Sequence, residues 1–229
     1  MKNLETVNGI TVEDAIRNRH SVRSYDKREI DEETASKLRL KIEELNKEGD
    51  LHLQFLSDAG KAYNRLMNKF MGLDSAPSVI ACVGRDDDTL SERVGYFGEQ
   101  LVLYAQQLGL NTCWTGTFNK KTQGIEVNEG EKLEIFIAIG YGTNSGKPHK
   151  CKDFSQIVSG KEERPDWFLN GVEFARLAPT AINQQKYRIV LHDDDTVEIQ
   201  DLGGPFSKVD LGIVTCHFEI GSGVEVFGK

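Results

Sequence analysis

The stretch TVEDAIRNRHSVRSY, residues 11–25, contains a short helix that runs into a compact cationic loop. The helix is predicted to begin at Thr11, whose hydroxyl faces an acid three residues further on. The loop contains Arg19 and Arg23, whose guanidinium groups can make forked hydrogen bonds to phosphate oxygens, and the Ser21 hydroxyl can add a further donor. The same pattern of residues also occurs in solvated surface turns, so it indicates a candidate phosphate site.

The composition restricts the class of partner and the compartment. The 229 residues have a net charge of -8, whereas a nucleic-acid-binding protein needs a broad basic face. No apolar run approaches the ~20 residues of a membrane span, and no signal peptide is recognised, so we expect a cytoplasmic protein without a membrane partner. The cysteines are scattered without Cys-x-x-Cys pairs, and we predict no metal site and no disulfides.

Hydrophobic periodicity predicts alternating helices and strands. Further helices are expected after the capping residues Asp31 and Ser91 and after Pro165, and the first two are expected to end at Gly49 and Gly109. The predicted strands are 51–56, 79–83 and 133–139, and residues 112–115 are expected to be a strand or a loop. Another helical region is predicted at 63–70 and a linker at 143–148.

The second part of the chain resembles the first in shortened form. Glycines flank a long helix in each part, at positions 98 and 109 and again at 212 and 223. Ser207 and Asp210 are predicted to cap the later helix. We therefore predict two related halves, 1–160 and 161–229, that face each other as in a homodimer with a ligand between them. Chance similarity between amphipathic helices is the alternative.

The polar residues differ between the two halves. The cationic loop occurs only in the first half, and the segment APTAINQQ, residues 178–185, occurs only in the second. The side-chain amides of Asn183 and Gln185 offer donors and an acceptor that suit the imide-like edge of a heterocycle. An ordinary helix-to-strand loop with a turn asparagine has the same composition.

Four segments resemble motifs of the FMN-dependent nitroreductases. The cationic loop is similar to the family's Arg-Arg/His-Ser-x-Arg loop, and residues 178–187 are similar to its Ala-Pro-Ser-x-x-Asn-x-Gln-Pro-Trp segment, from which Lys186 and Tyr187 depart. Residues 108–116 resemble Leu-Gly-Leu-Gly-Thr-x-Trp-x-Gly, and 140–150 resemble a Gly-Tyr segment followed by basic residues. The resemblance implies an α+β nitroreductase-like fold with mixed sheets flanked by helices.

The amide segment lies in the second half of this chain. In this respect the chain resembles a smaller branch of the family, the TM nitroreductase-like proteins, in which a single chain folds as a pseudo-dimer. That resemblance implies one intact FMN site per chain. A fused pseudo-dimer has little reason to pair, so we expect a monomer, although the apolar segment 224–227 offers a strand to a partner.

The resemblance also implies roles for particular residues. The chemistry would take place on the flavin, with no catalytic side chain. The phosphate would be held by Arg19, His20, Ser21 and Arg23 with Lys147 or Lys150. The pyrimidine edge would meet Pro179, Thr180, Asn183 and Gln185, and Trp114, Thr115 and Gly116 would present a backbone N–H to the flavin.

The implied activity is transfer of hydride from NAD(P)H through FMN to a small flat acceptor, a nitroaromatic or a quinone. An FMN-binding protein without turnover, as a carrier, sensor or degenerate relative, is the main alternative, because Lys186 replaces a proline of the motif. A flavin-fragmenting or dehalogenating enzyme and an α+β domain without flavin are further alternatives.

Overall fold

The computed structural model describes residues 6–58, 76–116 and 124–228. The helices in these ranges are α1 (Val12–Asn18), α2 (Glu32–Gly49), α3 (Leu90–Gln107), α4 (Phe154–Ile157), α5 (Asp166–Arg176) and α6 (Ser207–Ser222). The strands are β1 (Leu51–Leu56), β2 (Ser78–Arg85), β3 (Asn111–Thr115), β4 (Glu131–Gly140), β5 (Val158–Gly160), β6 (Tyr187–Leu191) and β7 (Val197–Asp201). The predicted α+β class is confirmed. The helix predicted at 63–70 lies outside the described residues.

One compact unit consists of residues 19–90 and 101–148. Its centre is a four-stranded antiparallel sheet in the order β1-β2-β4-β3. The inner strand β2 is buried along almost its whole length, from Ser78 to Gly84. A nearly continuous apolar run is typical of a strand that is covered on both faces. The edge strand β3 is the element that positions the candidate site in this unit.

The other compact unit consists of residues 1–18, 91–100 and 149–229. Its sheet is mixed, because β5 pairs in parallel with β6 and β6 pairs antiparallel with β7. Helices α5 and α6 pack against each other through Phe168 and Phe218, which are both fully buried with ring centroids 5.8 Å apart. The loop between α5 and β6 contains the predicted amide segment.

Short-range side-chain bonds set the N-terminal ends of α1 and α2 as predicted. The Thr11 hydroxyl accepts a hydrogen bond from the Asp14 backbone N–H at 3.0 Å and donates to the Asp14 carboxylate at 2.7 Å. At the start of α2, the Asp31 carboxylate accepts from the Thr34 N–H at 2.9 Å. Both predictions are confirmed. Each bond joins residues three positions apart, so the local sequence is enough to predict it.

The predicted cap of α3 is wrong by two residues. The helix begins at Leu90, and Thr89 is its N-cap residue. The Asp87 carboxylate accepts from both the backbone N–H and the hydroxyl of Thr89, at 2.9 and 2.7 Å. Ser91 therefore lies inside the first turn of the helix.

The predicted capping pair of α6 is also wrong. Phe206 is the N-cap residue, in a left-handed conformation with φ 56°. The Ser207 hydroxyl donates to the Asp201 carboxylate at 2.9 Å, and the Asp210 carboxylate accepts from the Ala181 N–H at 2.9 Å. Both predicted capping side chains thus form hydrogen bonds with residues outside α6.

Helices α3 and α6 approach each other closely within their compact unit at two glycines. A Cβ atom at Gly95 would overlap the carbonyl of Val209, and one at Gly212 would overlap the carbonyl of Glu92. Only glycine permits such an approach of two backbones. These glycines therefore fix where the two helices cross.

The two compact units divide the chain differently from the predicted halves, 1–160 and 161–229. Compactness and internal repetition are different properties, so the prediction of two related halves stays a prediction.

Among the described helices, none combines the length and the apolar character that crossing a bilayer requires.

Candidate functional site

The cationic loop is fixed to the edge strand β3. Ser21 forms a parallel bridge with Thr112, and the Val22 N–H donates to the Thr112 carbonyl at 3.0 Å. Tyr25, which is 3% exposed, donates its hydroxyl to the Val22 carbonyl at 2.7 Å. These bonds hold the loop backbone in place, while the Arg23 side chain is exposed.

The segment 142–147 packs against the cationic loop. The Thr143 backbone N–H donates to the Ser24 carbonyl at 3.0 Å, and the Thr143 hydroxyl donates to the Ser24 hydroxyl at 2.8 Å. Gly146 has a φ of +73°, and a Cβ at this position would lie 2.8 Å from the Cβ of His20. The backbone at Gly146, one residue before Lys147, therefore lies against the cationic loop.

Both arginines of the loop act on the electrostatics of one buried thiol. Arg19 is only 3% exposed, which is rare for an arginine. Burial raises the pKa of Cys113, whereas the charges of Arg23 and Arg19 and a hydrogen bond from Ser21 lower it. The effect of burial is the larger, so the thiol keeps its proton at neutral pH.

The predicted segment Trp114, Thr115 and Gly116 continues along the same strand. Trp114 pairs with Ile137 of β4 and is half-buried, and Thr115 is 3% exposed. Thr112, to which the cationic loop is bonded, lies two residues earlier and on the same face as Trp114. The structure therefore brings this segment and the cationic loop onto one edge strand.

The side chain of Gln185 braces the amide segment from within. It is 3% exposed, its Oε1 accepts from the Lys152 N–H at 2.8 Å, and its Nε2 donates to the Lys150 carbonyl at 2.9 Å and to Asn183 Oδ1 at 3.0 Å. Asn183 Nδ2 also donates to the Lys150 carbonyl, at 3.0 Å. Asn183 is exposed, so of the two predicted amides it is the one that faces solvent.

The other predicted residues of this segment shape the loop. The Thr180 hydroxyl accepts from the Gln185 N–H at 3.1 Å, and Lys152 Nζ donates to the Gln185 carbonyl at 2.6 Å. Pro179 is buried, and the side chain of Lys150 is exposed.

The amide segment has an unusual backbone. Ile182, Asn183 and Gln185 have φ angles of 48°, 56° and 45°, in the left-handed region. A β-branched residue is rarely found there, and such a conformation costs roughly 1–3 kcal/mol. The Ile182 side chain is 91% exposed, so no burial of apolar surface offsets this cost. Strain of this kind persists only where surrounding bonds maintain it, and it is concentrated at ligand sites.

Asp210 and Gln184 belong to this region but were not predicted as site residues. Asp210 accepts from Gln184 Nε2 at 2.7 Å, in addition to its bond from Ala181. Burial raises the pKa of Asp210 to about 6, against the lowering effect of these bonds. The sequence contains a signal for the burial of Asp210. This residue lies three and four positions before the buried residues Ile213 and Val214, and therefore on the inner face of α6.

The predicted site residues fall into two groups. Arg19, His20, Ser21, Arg23, Trp114, Thr115, Gly116 and Lys147 belong to the unit built on the four-stranded sheet. Lys150, Pro179, Thr180, Asn183 and Gln185 belong to the unit built on the three-stranded sheet. The bonds described above join Thr180, Asn183 and Gln185 to one another in the second unit, and the cationic loop to β3 in the first.

Comparison with known proteins gives one family match and several structural ones. A family model described as "Putative TM nitroreductase" matches residues 11–222. A "putative nitroreductase" from Thermotoga maritima MSB8 has 23% sequence identity and a TM-score of 0.66, and the match covers 96% of this chain and 86% of that one. NfrA2 of B. megaterium has 13% identity and a TM-score of 0.51, covering 72% and 81%.

A third structure, an FMN-dependent nitroreductase from Clostridium difficile R20291, has 21% identity and a TM-score of 0.47, covering 62% of this chain and 92% of that one. The search of curated proteins gave no significant match. The likeness to the Thermotoga maritima protein extends over nearly the whole chain and shows a shared fold.

Proposed function

Because the chain belongs to the family described as "Putative TM nitroreductase", we propose that it is an FMN-dependent oxidoreductase. In this proposal it takes hydride from NADH or NADPH and reduces a small flat acceptor, such as a nitroaromatic or a quinone. NAD(P)H is oxidised to NAD(P)+, and the acceptor gains two electrons.

The observation that carries the proposal is the cationic loop on β3. Its backbone is held by the bonds to Thr112, and the positive charges of both Arg19 and Arg23 lower the pKa of Cys113 on that strand. Two guanidinium groups and a hydroxyl are a donor set that suits a phosphate dianion. These residues therefore fit the phosphate of FMN.

Bound FMN would supply two-electron redox chemistry. Residues of this chain would bind and orient it. Arg19, Ser21 and Arg23 would bind the phosphate, with His20, Lys147 and Lys150 as neighbours. Asn183, held in place by Gln185, would donate an amide N–H to the pyrimidine edge, and Trp114, Thr115 and Gly116 would offer a main-chain N–H to the ring.

The binding test compares FMN with riboflavin, which lacks the phosphate. Titration followed by flavin fluorescence should show that Arg23→Ala weakens FMN binding about tenfold or more, because one charge-assisted bond is lost. Riboflavin affinity should stay as in the wild type. Arg23 is exposed, so the substitution is not expected to disturb folding.

Lys27→Ala is the matched control for this experiment. Lys27 is exposed in the chain that follows the loop, and its replacement removes one positive charge. An Arg23→Ala variant that behaves like Lys27→Ala would refute the phosphate assignment. Wild-type protein that retains no FMN after reconstitution and desalting would refute the proposed function.

The turnover test separates an enzyme from a flavin-binding protein without activity. NADH or NADPH, added without oxygen, should bleach the visible absorbance of the bound flavin, and a nitroaromatic or quinone should restore it. A flavin that stays oxidised with both nucleotides would favour the carrier or sensor alternative.

A further inference from the structure

Asp210 bonds α6 to the amide segment. Its carboxylate accepts from the Ala181 N–H, at 2.9 Å to Oδ1 and 3.1 Å to Oδ2, and from Gln184 Nε2 at 2.7 Å to Oδ2. Asp210 is only 7% exposed. A buried carboxylate thus holds a backbone group and a side chain of the same short loop.

Gln184 extends this contact to a second loop. Its Nε2 also donates to the Pro205 carbonyl at 2.8 Å, and nearby the Leu202 N–H donates to the Lys186 carbonyl at 3.0 Å. Nε2 therefore faces two acceptors, which fixes the orientation of the amide. The shorter of the two Ala181 bonds and the Gln184 bond reach different oxygens of Asp210, and a carboxylate accepts well at both oxygens whereas a neutral carboxyl accepts well at only one, so the carboxylate suits these bonds best.

These bonds flank the strained part of the loop. Ala181 and Gln184 lie immediately before and after the left-handed pair Ile182 and Asn183. On the other side, Gln185 is bonded to the carbonyl of Lys150. The conformation that turns Asn183 toward solvent is thus held at both ends, and Asp210 accounts for two of the bonds.

We propose that Asp210 is a positioning residue of the flavin site, which holds the amide segment in the strained conformation that presents Asn183 to the ligand. This inference rests on the proposed function. It assigns to Asp210 no contact with the flavin and no step in the chemistry.

The electrostatics of Asp210 support a role other than stability. Burial is the main cause that raises its pKa from 3.8 to about 6, the bonds from Gln184 and Ala181 lower it, and the charge of Asp201 raises it. Asp201 also acts on Glu92, whose pKa is raised mainly by burial, lowered by Lys208 and raised by Asp201. Because the folded pKa is above the unfolded one, the contribution of Asp210 to stability is most favourable below about pH 4 and decreases as the pH rises to about 6. At neutral pH this charge therefore costs stability.

The experiment measures the loop and the ligand separately. Hydrogen exchange of the backbone amides of residues 181–185, in the protein without flavin, should accelerate roughly tenfold or more in Asp210→Ala, since a charge-assisted bond is lost. The same variant should bind FMN and riboflavin more weakly by equal factors, because the phosphate contacts are intact. Asp193→Asn, which removes an exposed acid of the same unit, should change neither quantity.

Asp210→Asn tests the role of the charge with little change of volume, and it covers the case in which the alanine variant fails to fold. Riboflavin affinity of the wild type should fall as the pH drops below about 6, where Asp210 becomes neutral. The asparagine variant should show no such change. A purely structural role would leave this pH profile the same in both proteins.

The outcomes distinguish the two proposals. Faster exchange with unchanged flavin affinity would overturn the positioning role and leave the proposed function intact. Unchanged hydrogen exchange in both Asp210 variants would show that Asp210 does not hold the amide segment in place. If the wild type binds no flavin, the proposed function and the positioning role both fail, and exchange data then define Asp210 as a structural anchor only.

Discussion

The most unusual single residue is Ile182. It has φ 48° and ψ 24°, and its side chain is 91% exposed, so it carries a backbone strain without burying apolar surface. The left-handed conformation costs a β-branched residue roughly 1–3 kcal/mol, whereas asparagine tolerates it. The strain at this position is thus not a consequence of packing.

A substitution at Ile182 should therefore stabilise the protein. We expect Ile182→Asn to raise the free energy of unfolding by about 0.5–1 kcal/mol, because the strain is relieved and little apolar burial is lost. Urea unfolding measures the change. Ile182→Val, which keeps the β-branched side chain, should leave the stability unchanged. A loss of stability in the asparagine variant would show that the exposed isoleucine contributes packing.

At the scale of one element, the end of α6 is held by a buried carboxylate. Glu219, 1% exposed, accepts from the backbone N–H groups of Val226 and Phe227 at 2.6 Å each and from the Tyr96 hydroxyl at 2.5 Å. The Phe227 ring stacks on Tyr96 with centroids 4.0 Å apart. Two N–H groups of the segment 224–227 are thus already bonded within the chain, and the expectation that the segment pairs with a partner strand stays a prediction.

Removing this carboxylate should release the C-terminal segment. We expect Glu219→Ala to lower the free energy of unfolding by roughly 2–3 kcal/mol, because buried donors lose their acceptor. The segment should also become susceptible to carboxypeptidase, which mass spectrometry detects.

Glu225→Ala is the matched control, because Glu225 is an exposed acid of the same segment. It should leave both the stability and the susceptibility to carboxypeptidase nearly unchanged. Equal effects of the two substitutions would show that the carboxylate of Glu219 does not hold the segment.

For the whole molecule, the number of flavins distinguishes a pseudo-dimer from an ordinary pair of sites. The sequence contains the Arg-x-Ser-x-Arg loop once, at 19–23, and the amide segment once, at 178–185. We therefore expect one FMN per chain, measured by acid extraction and absorbance after saturation and desalting. Two bound FMN per chain would contradict the pseudo-dimer prediction. The mass of the protein in solution, from light scattering, tests the expected monomer.

The sequence predicts the residues of the candidate site, and the structure shows that residues predicted as alike differ in exposure and bonding. The cationic loop was found because its charges lie within five positions, 19–23, of an acidic chain. Asn183 and Gln185 were predicted as equivalent amides, yet one is exposed and the other is 3% exposed and bonded within the chain. Burial depends on what packs over a residue, which the spacing of two amides does not contain.

The sequence by itself determined where α1, α2 and α5 begin, the apolar strands and the motifs of the family. Each of these depends on neighbours in the chain, as in the bond between Thr11 and Asp14. Only the tertiary structure decided that Asp210 binds Ala181, 29 residues earlier in the chain, and does not cap its own helix. A carboxylate bonds whichever donors the fold brings to it as it leaves water, and donors distant in sequence are placed only when the chain has packed.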